Sequence, residues 1–177
     1  MSLQLTVTSA HNLLPSERQE IIDMCTEAYE EDFAQILTLF PDAMHVCAHM
    51  ENKLVGHACW VTRWLQPDGL QPLKTAYVEA VATAPAYQGR GIGSIVMQRV
   101  ADDIQGYMLG GLCAANEHIR FYQRLGWKLW RGPKAIRTLD AVIETLDEDV
   151  MVLRTIWTPV LDVDVGITAE WREGELW

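Results

Sequence analysis

Gln88-Gly89-Arg90-Gly91-Ile92-Gly93 decides the reading of this chain. It stands between Tyr77-Val78-Glu79-Ala80-Val81-Ala82-Thr83, a strand-like run, and a helix-like run from Ile92 to Gln105. Glycines at a strand-to-helix junction let backbone N–H groups crowd round an anion at the helix N-terminus. A phosphate-bearing cofactor is therefore the expected occupant. A dinucleotide fingerprint needs Gly-x-Gly-x-x-Gly, and a P-loop ends in Gly-Lys-Ser/Thr. The spacing Gly89-x-Gly91-x-Gly93 is neither.

Working outward, Leu3 to Thr8 alternates as a half-buried strand does. Pro15-Ser16-Glu17 opens a helix to about Tyr29, and Asp32 to Phe40 reads as a short helix stopped by Pro41. His45–Met50 and Leu54–Trp64 are strands about the turn Glu51-Asn52-Lys53. Lys74 to Thr83 is a strand, central by its apolar content. Gly110–Ala114 is a short buried strand, and Asn116–Leu125 an amphipathic helix ended by Gly126. Trp127–Trp130 and Val150–Trp157 read as strand partners, Arg137–Asp149 as an acidic loop or an elaborated turn, and Ile167–Trp177 as a docked aromatic tail. The expectation is an α+β (mixed α/β) domain over residues 1–177 around a largely antiparallel sheet, with a C-terminal tail from about residue 160.

Composition bounds the class. Of 177 residues 49% are hydrophobic, enough for a full-sized core. No run reaches the roughly eighteen apolar residues of a membrane span, and the start is unlike a signal peptide, so a cytoplasmic protein is expected. Lys and Arg number 14 against 24 Asp and Glu, a formal charge of −10. That balance disfavours nucleic acid and favours a cationic ligand, although acidity for solubility alone is common. Cys25, Cys47, Cys59 and Cys113 are scattered, which points to reduced thiols and to no metal site. Cys113, by its place in the chain, also stands as a possible nucleophile.

The pattern Gln88-x-x-Gly91-x-Gly93 resembles the acetyl-CoA signature of the GNAT superfamily of N-acetyltransferases. The strand Val78–Thr83 before it, Gly111-Leu112-Cys113 after it, and Phe121-Tyr122-Gln123-Arg124-Leu125-Gly126-Trp127 fit the same superfamily, with Trp127 where Phe is usual. Asn116 to Tyr122 is one residue shorter than the common spacing. Most of the chain is similar to the aminoglycoside 2'-N-acetyltransferases. Glu31-Asp32-Phe33, Met44-His45, Tyr77-Val78-Glu79-Ala80 and the tail Glu170-Trp171-Arg172-Glu173-Gly174-Glu175-Leu176-Trp177 carry this likeness. Departures fall on one wall of the expected substrate pocket. Phe40-Pro41-Asp42-Ala43 replaces a glycine-rich turn, a second acidic residue near Asp32 is missing, and Cys113 stands for a serine.

The resemblance implies direct acetyl transfer from acetyl-CoA within a ternary complex. Gln88, Gly89, Arg90, Gly91, Ile92, Gly93 and Ser94 would receive the pyrophosphate, and Val81, Ala82 and Thr83 would pair with pantetheine. The Val81 N–H would polarise the acetyl carbonyl, and Tyr122 would protonate the departing thiolate. Glu79 would draw a proton from the amine, directly or through water; its other reading is a buried structural carboxylate. Asp32, Glu175, the Trp177 carboxylate and the wall at Cys113 would hold a cationic amino-sugar antibiotic, of kasugamycin or of gentamicin and tobramycin type. Against these stand bland roles: Asp32 as a helix cap, Glu175 as a solvated tail residue, Tyr122 as packing. A different small amine or a protein N-terminus as substrate, a non-catalytic acetyl-CoA-binding module, and a homodimer remain open.

Overall fold

A computed structural model of the chain describes residues 2–145, 148–174 and 177. In chain order the elements are β1 (Leu3–Ser9), α1 (Pro15–Tyr29), α2 (Phe33–Thr38), β2 (Met44–Met50), β3 (Lys53–Pro67) and β4 (Leu73–Thr83). Then follow α3 (Ile92–Asp103), β5 (Leu109–Cys113), α4 (Ile119–Arg124), β6 (Lys128–Leu129), β7 (Lys134–Arg137), β8 (Val142–Thr145), β9 (Val150–Arg154) and β10 (Ile167–Glu170). Contacts group these into two compact units, residues 1–61 with 78–102, and residues 62–77 with 103–177.

In the first unit β1, β2 and the start of β3 form an antiparallel ladder. Glu51 and Asn52, both at positive φ, make the two-residue β2–β3 turn. Helix α1 starts as its sequence predicts. Pro15 takes the first turn, where its missing N–H costs nothing, and Glu17 Oε2 accepts from the Leu14 N–H at 2.8 Å. It ends at Glu30 in the left-handed region, φ 58°. Its apolar face, Ile21, Met24 and Cys25, is buried with Phe33 and Leu37 of α2, Cys47 of β2, Leu54 of β3 and Ala82 of β4. Each large side chain so buried contributes about 1.5–3 kcal/mol.

Helix α3 seats its face Ile92, Val96, Met97 and Val100 in the same unit. Gly56 of β3 lets it come close, for a Cβ there would lie 2.7 Å from Ile92 Cγ2 and 3.2 Å from Val96 Cγ2. The helix expected to Gln105 ends at Asp103, and Ile104–Gly106 tightens to a 3-10 turn.

In the second unit β4 pairs in parallel with β5, β5 antiparallel with β9, and β9 antiparallel with β6. Gly110 and Gly111 of β5 leave room for Ile104, Trp127 and Leu153 on one hand and Tyr77, Thr75 and Leu65 on the other. A second ladder runs from β3 to β10 antiparallel, β10 to β7 parallel, and β7 to β8 antiparallel. The acidic stretch expected as a loop or an elaborated turn is thus in part a hairpin. Val142 and Ile143 face solvent on β8, so the stretch lacks the buried alternation that marks a strand. The helix expected over Asn116–Leu125 is a 3-10 turn followed by α4.

All four cysteines are free thiols. Among the described residues no helix is long and apolar enough to cross a membrane.

Candidate active site

The glycine turn follows directly from its residues. Pro85–Tyr87 forms a 3-10 turn, Gln88 is extended, and Gly89 and Gly91 take φ of 72° and 80°. Those values disfavour any side chain. A Cβ built on either glycine would meet nothing within 4 Å, so the backbone is open on that side. Helix α3 begins at once, and its first helical bond runs from the Ile95 N–H to the Gly91 carbonyl. The N–H groups of Ile92, Gly93 and Ser94 therefore lack intrahelical partners. They carry the helix's partial positive charge, roughly half an elementary charge. Arg90 is exposed, donates to the Ala86 carbonyl at 3.0 Å and lies over the Tyr87 ring at 5.0 Å, while Lys53 lies over the same ring at 5.8 Å. Open glycine backbone, helix N-terminus and two cations fit the pyrophosphate of acetyl-CoA. Gln88 has a local role as well, its Nε2 donating to the Thr83 carbonyl at 3.3 Å.

Strand β4 leads into this turn and is distorted where the chemistry is expected. Ala80 sits at φ 53° inside the strand. A non-glycine residue there costs roughly 1–2 kcal/mol. Two side chains outside the strand hold the distortion. His57 of β3 lies 2.9 Å from the Ala80 carbonyl through Nδ1, and the Tyr29 hydroxyl donates to the Val81 carbonyl at 2.7 Å. Each such bond contributes about 0.5–1.5 kcal/mol. His45 of β2 stands behind His57, with Nδ1 to Nε2 at 2.9 Å. Burial holds both imidazoles neutral, pushing His45 down to about 4 and His57 down to about 3, the latter also by the neighbouring His45. Glu79 and Val81 are half-buried, one on either side of Ala80. The left-handed residue between them breaks the simple alternation that sets residues two apart on one face of a strand.

Asp32 caps α2, its Oδ1 accepting from the Ala34 N–H at 3.0 Å. So the first unit gathers Glu79, Val81, Ala82, Thr83 and Gln88–Ser94 on one continuous strand–turn–helix segment. His57, His45 and Tyr29 were not expected there. His45 stands in the Met44-His45 pair that carries the likeness, without a role assigned to it, and nothing in the local sequence marks His57 or Tyr29, because their partners lie far along the chain.

In the second unit Tyr122 is buried at 8% exposure, edge-on to Phe121 and to Trp127 at 4.9 and 6.3 Å. Burial pushes its hydroxyl up to about 12, so it keeps its proton at neutral pH. Cys113 donates to Glu148 Oε2 at 3.3 Å, and burial together with that carboxylate pushes its thiol up to about 12. A thiol so held is no nucleophile near neutrality. Trp177 is buried, its Nε1 donating to Thr145 Oγ1 at 2.7 Å, and its main-chain oxygen accepts from Arg172 at 3.2 Å. Glu175 lies outside the described residues.

Residues 9–127 match the acetyltransferase (GNAT) family. An aminoglycoside 2'-N-acetyltransferase of Mycolicibacterium fortuitum is 32% identical over 162 residues, spanning 87% of this chain and 82% of that protein. A GNAT family N-acetyltransferase from Escherichia coli, solved in complex with CoA, superposes with a TM-score of 0.67 at 14% identity, over 98% of this chain and 92% of that one. An acyl-CoA N-acyltransferase from Pseudomonas aeruginosa does so with a TM-score of 0.62 at 18% identity, over 85% of this chain and 99% of that one. The mixed sheet with its flanking helices is thus the acyl-CoA N-acyltransferase fold. With the acetyl-CoA-type glycine turn and more than half its length matched, the chain belongs to the GNAT family of acetyltransferases, whose acetyl donor is acetyl-CoA.

Proposed function

We propose that this acetyltransferase acts on the 2'-amino group of a cationic amino-sugar antibiotic, of kasugamycin or of gentamicin and tobramycin type, and so confers resistance. The observation that carries this reading is the 32% identity to the Mycolicibacterium enzyme across most of both chains. The formal charge of −10 agrees with a polycationic substrate.

Acetyl-CoA supplies a thioester-activated acetyl group, and the chain's own residues do the rest. The backbone of Gly89 to Ser94 holds the pyrophosphate, with Arg90 beside it. The Val81 N–H donates to the carbonyl oxygen as negative charge develops on it; a donor in that role contributes roughly 10²–10³ in rate. Glu79 takes the proton that the substrate ammonium must lose before its nitrogen can attack. Tyr122, protonated throughout the neutral range, gives its proton to the departing sulfur. Asp32 and the tail carboxylates at Glu175 and Trp177 bind the remaining ammonium groups, and Cys113 lines the altered wall.

The test is acetyl-CoA-dependent thiol release with kasugamycin, gentamicin, tobramycin and spermidine. Turnover of an antibiotic, with the product acetylated at the 2'-nitrogen by mass spectrometry and NMR, is expected. Turnover of spermidine alone overturns the reading in favour of a general amine acetyltransferase.

A further inference from the structure

The peptide between Ala80 and Val81 carries two groups at once. Its carbonyl points one way, and its N–H, which belongs to Val81, points the opposite way in the same plane. No peptide bond in the described chain is cis. Whatever fixes the Ala80 oxygen therefore also fixes the direction of the Val81 N–H.

That oxygen is held by His57 Nδ1 at 2.9 Å. A carbonyl only accepts, so His57 Nδ1 carries the proton. A neutral ring then has a bare Nε2, which can only accept. His45 Nδ1, 2.9 Å away, must be the donor to it. This leaves His45 Nε2 bare, and that atom is buried with no hydrogen-bond partner among the described residues. The two rings are 1% and 0% exposed, so water does not compete for either bond. Burial that keeps both rings uncharged is what permits this single arrangement of protons. The next carbonyl, that of Val81, is held by the Tyr29 hydroxyl. Two successive carbonyls of the distorted strand are thus tied down by side chains.

We propose that His57 is a positioning residue of the acetyl-transfer site: it holds the Ala80 carbonyl and so aims and polarises the Val81 N–H, with His45 fixing its tautomer. A hydrogen bond received at a peptide oxygen strengthens the donor at the other end of the same peptide. The role explains why a His–His pair with one unsatisfied nitrogen is kept in an otherwise apolar core, where an unpaired polar atom is unfavourable. Metal ligation by His45, His57 and Cys59, which lie close together, fits less well. Both nitrogens of His57 are already engaged.

The inference rests on the reading of the Val81 N–H as donor to the acetyl carbonyl, and the experiment separates the two. The Val81 amide is followed by ¹H–¹⁵N NMR with acetyl-CoA bound and with CoA bound. In the wild type its proton should move downfield with acetyl-CoA relative to CoA. In His57→Leu the displacement should be lost, and in His57→Asn, whose amide can replace the Nδ1 donor, it should return. No displacement in the wild type sinks the Val81 reading itself. A wild-type displacement that survives in His57→Leu leaves that reading standing and overturns the role of His57. Should His57→Leu not fold, ¹⁵N histidine spectra of the unliganded wild type decide. Protons on Nδ1 of both rings are expected, and a proton on Nε2 of His57 overturns the proposal.

Discussion

Tyr122 and Ala80 show two ways in which one residue departs from its ordinary chemistry. Burial pushes the Tyr122 hydroxyl up to about 12, because the phenolate is poorly solvated there. In the proposed role of acid it must be protonated, so its ionisation should remove no activity until the pH nears 12. Tyr122→Phe should lower kcat by roughly 10²–10⁴, the usual contribution of a placed proton donor, with KM for acetyl-CoA little changed. Steady-state thiol release between pH 6 and 10 checks both points; a falling alkaline limb near pH 9 that vanishes in Tyr122→Phe contradicts the raised value. Ala80 marks the limit of what a sequence shows. Gly89 and Gly91 announce positive φ by being glycine, and so the turn was legible. Ala80 announces nothing. Its conformation is imposed by partners from β3 and α1, so the distortion, His57 and Tyr29 appear only in three dimensions. Asp32 was legible as a helix cap, and that cap is what the structure displays.

At the level of elements, the seat of α3 on β3 sets where the glycine turn stands. The contact depends on Gly56, whose missing side chain admits Ile92. Gly56→Ala would press a methyl to 2.7 Å from Ile92 Cγ2, a buried atom with little room to yield. Such overpacking costs about 1–3 kcal/mol. Ile92 is the first residue of α3, so the displacement falls at the helix end proposed to hold the pyrophosphate. Thermal unfolding should show the lower stability, and KM for acetyl-CoA should rise more than KM for the amine. Long periodic elements such as α1, α3, β3 and β4 were readable because burial on one face leaves a pattern. The β7–β8 hairpin was not. Its outer strand exposes Val142 and Ile143, and β10, which completes the sheet beside β7, comes much later in the chain.

Across the molecule, charge and buried histidines set the response to the medium. Twenty-four acidic side chains against 14 basic ones make a field that draws polycations, and salt screens it within about 10 Å at 0.1 M. KM for the proposed amino-sugar substrate should therefore rise from 50 to 500 mM salt while kcat stays nearly constant. An unchanged KM in steady-state kinetics would assign the acidity to solubility alone. His45 and His57 have folded values depressed below the unfolded 6.5, so the unfolded chain takes up protons first. Stability is then full above pH 6.5 and is lost as pH falls toward 4 and 3, by at most about 1.4 kcal/mol per pH unit for each ring. Chemical denaturation at pH 7 and pH 5 should show this loss, and His57→Asn should flatten it.

The placing of β10 between β3 and β7 also dictates an order of assembly. Both neighbours leave the ribosome before it does, yet neither can join the other until it arrives. The β7–β8 hairpin must wait, unattached to β3, while residues 138–166 are made. A nascent chain halted before Ile167 would hold its glycine turn complete and its second sheet still open, so cofactor affinity should appear during synthesis earlier than resistance to proteolysis around Lys134–Arg137.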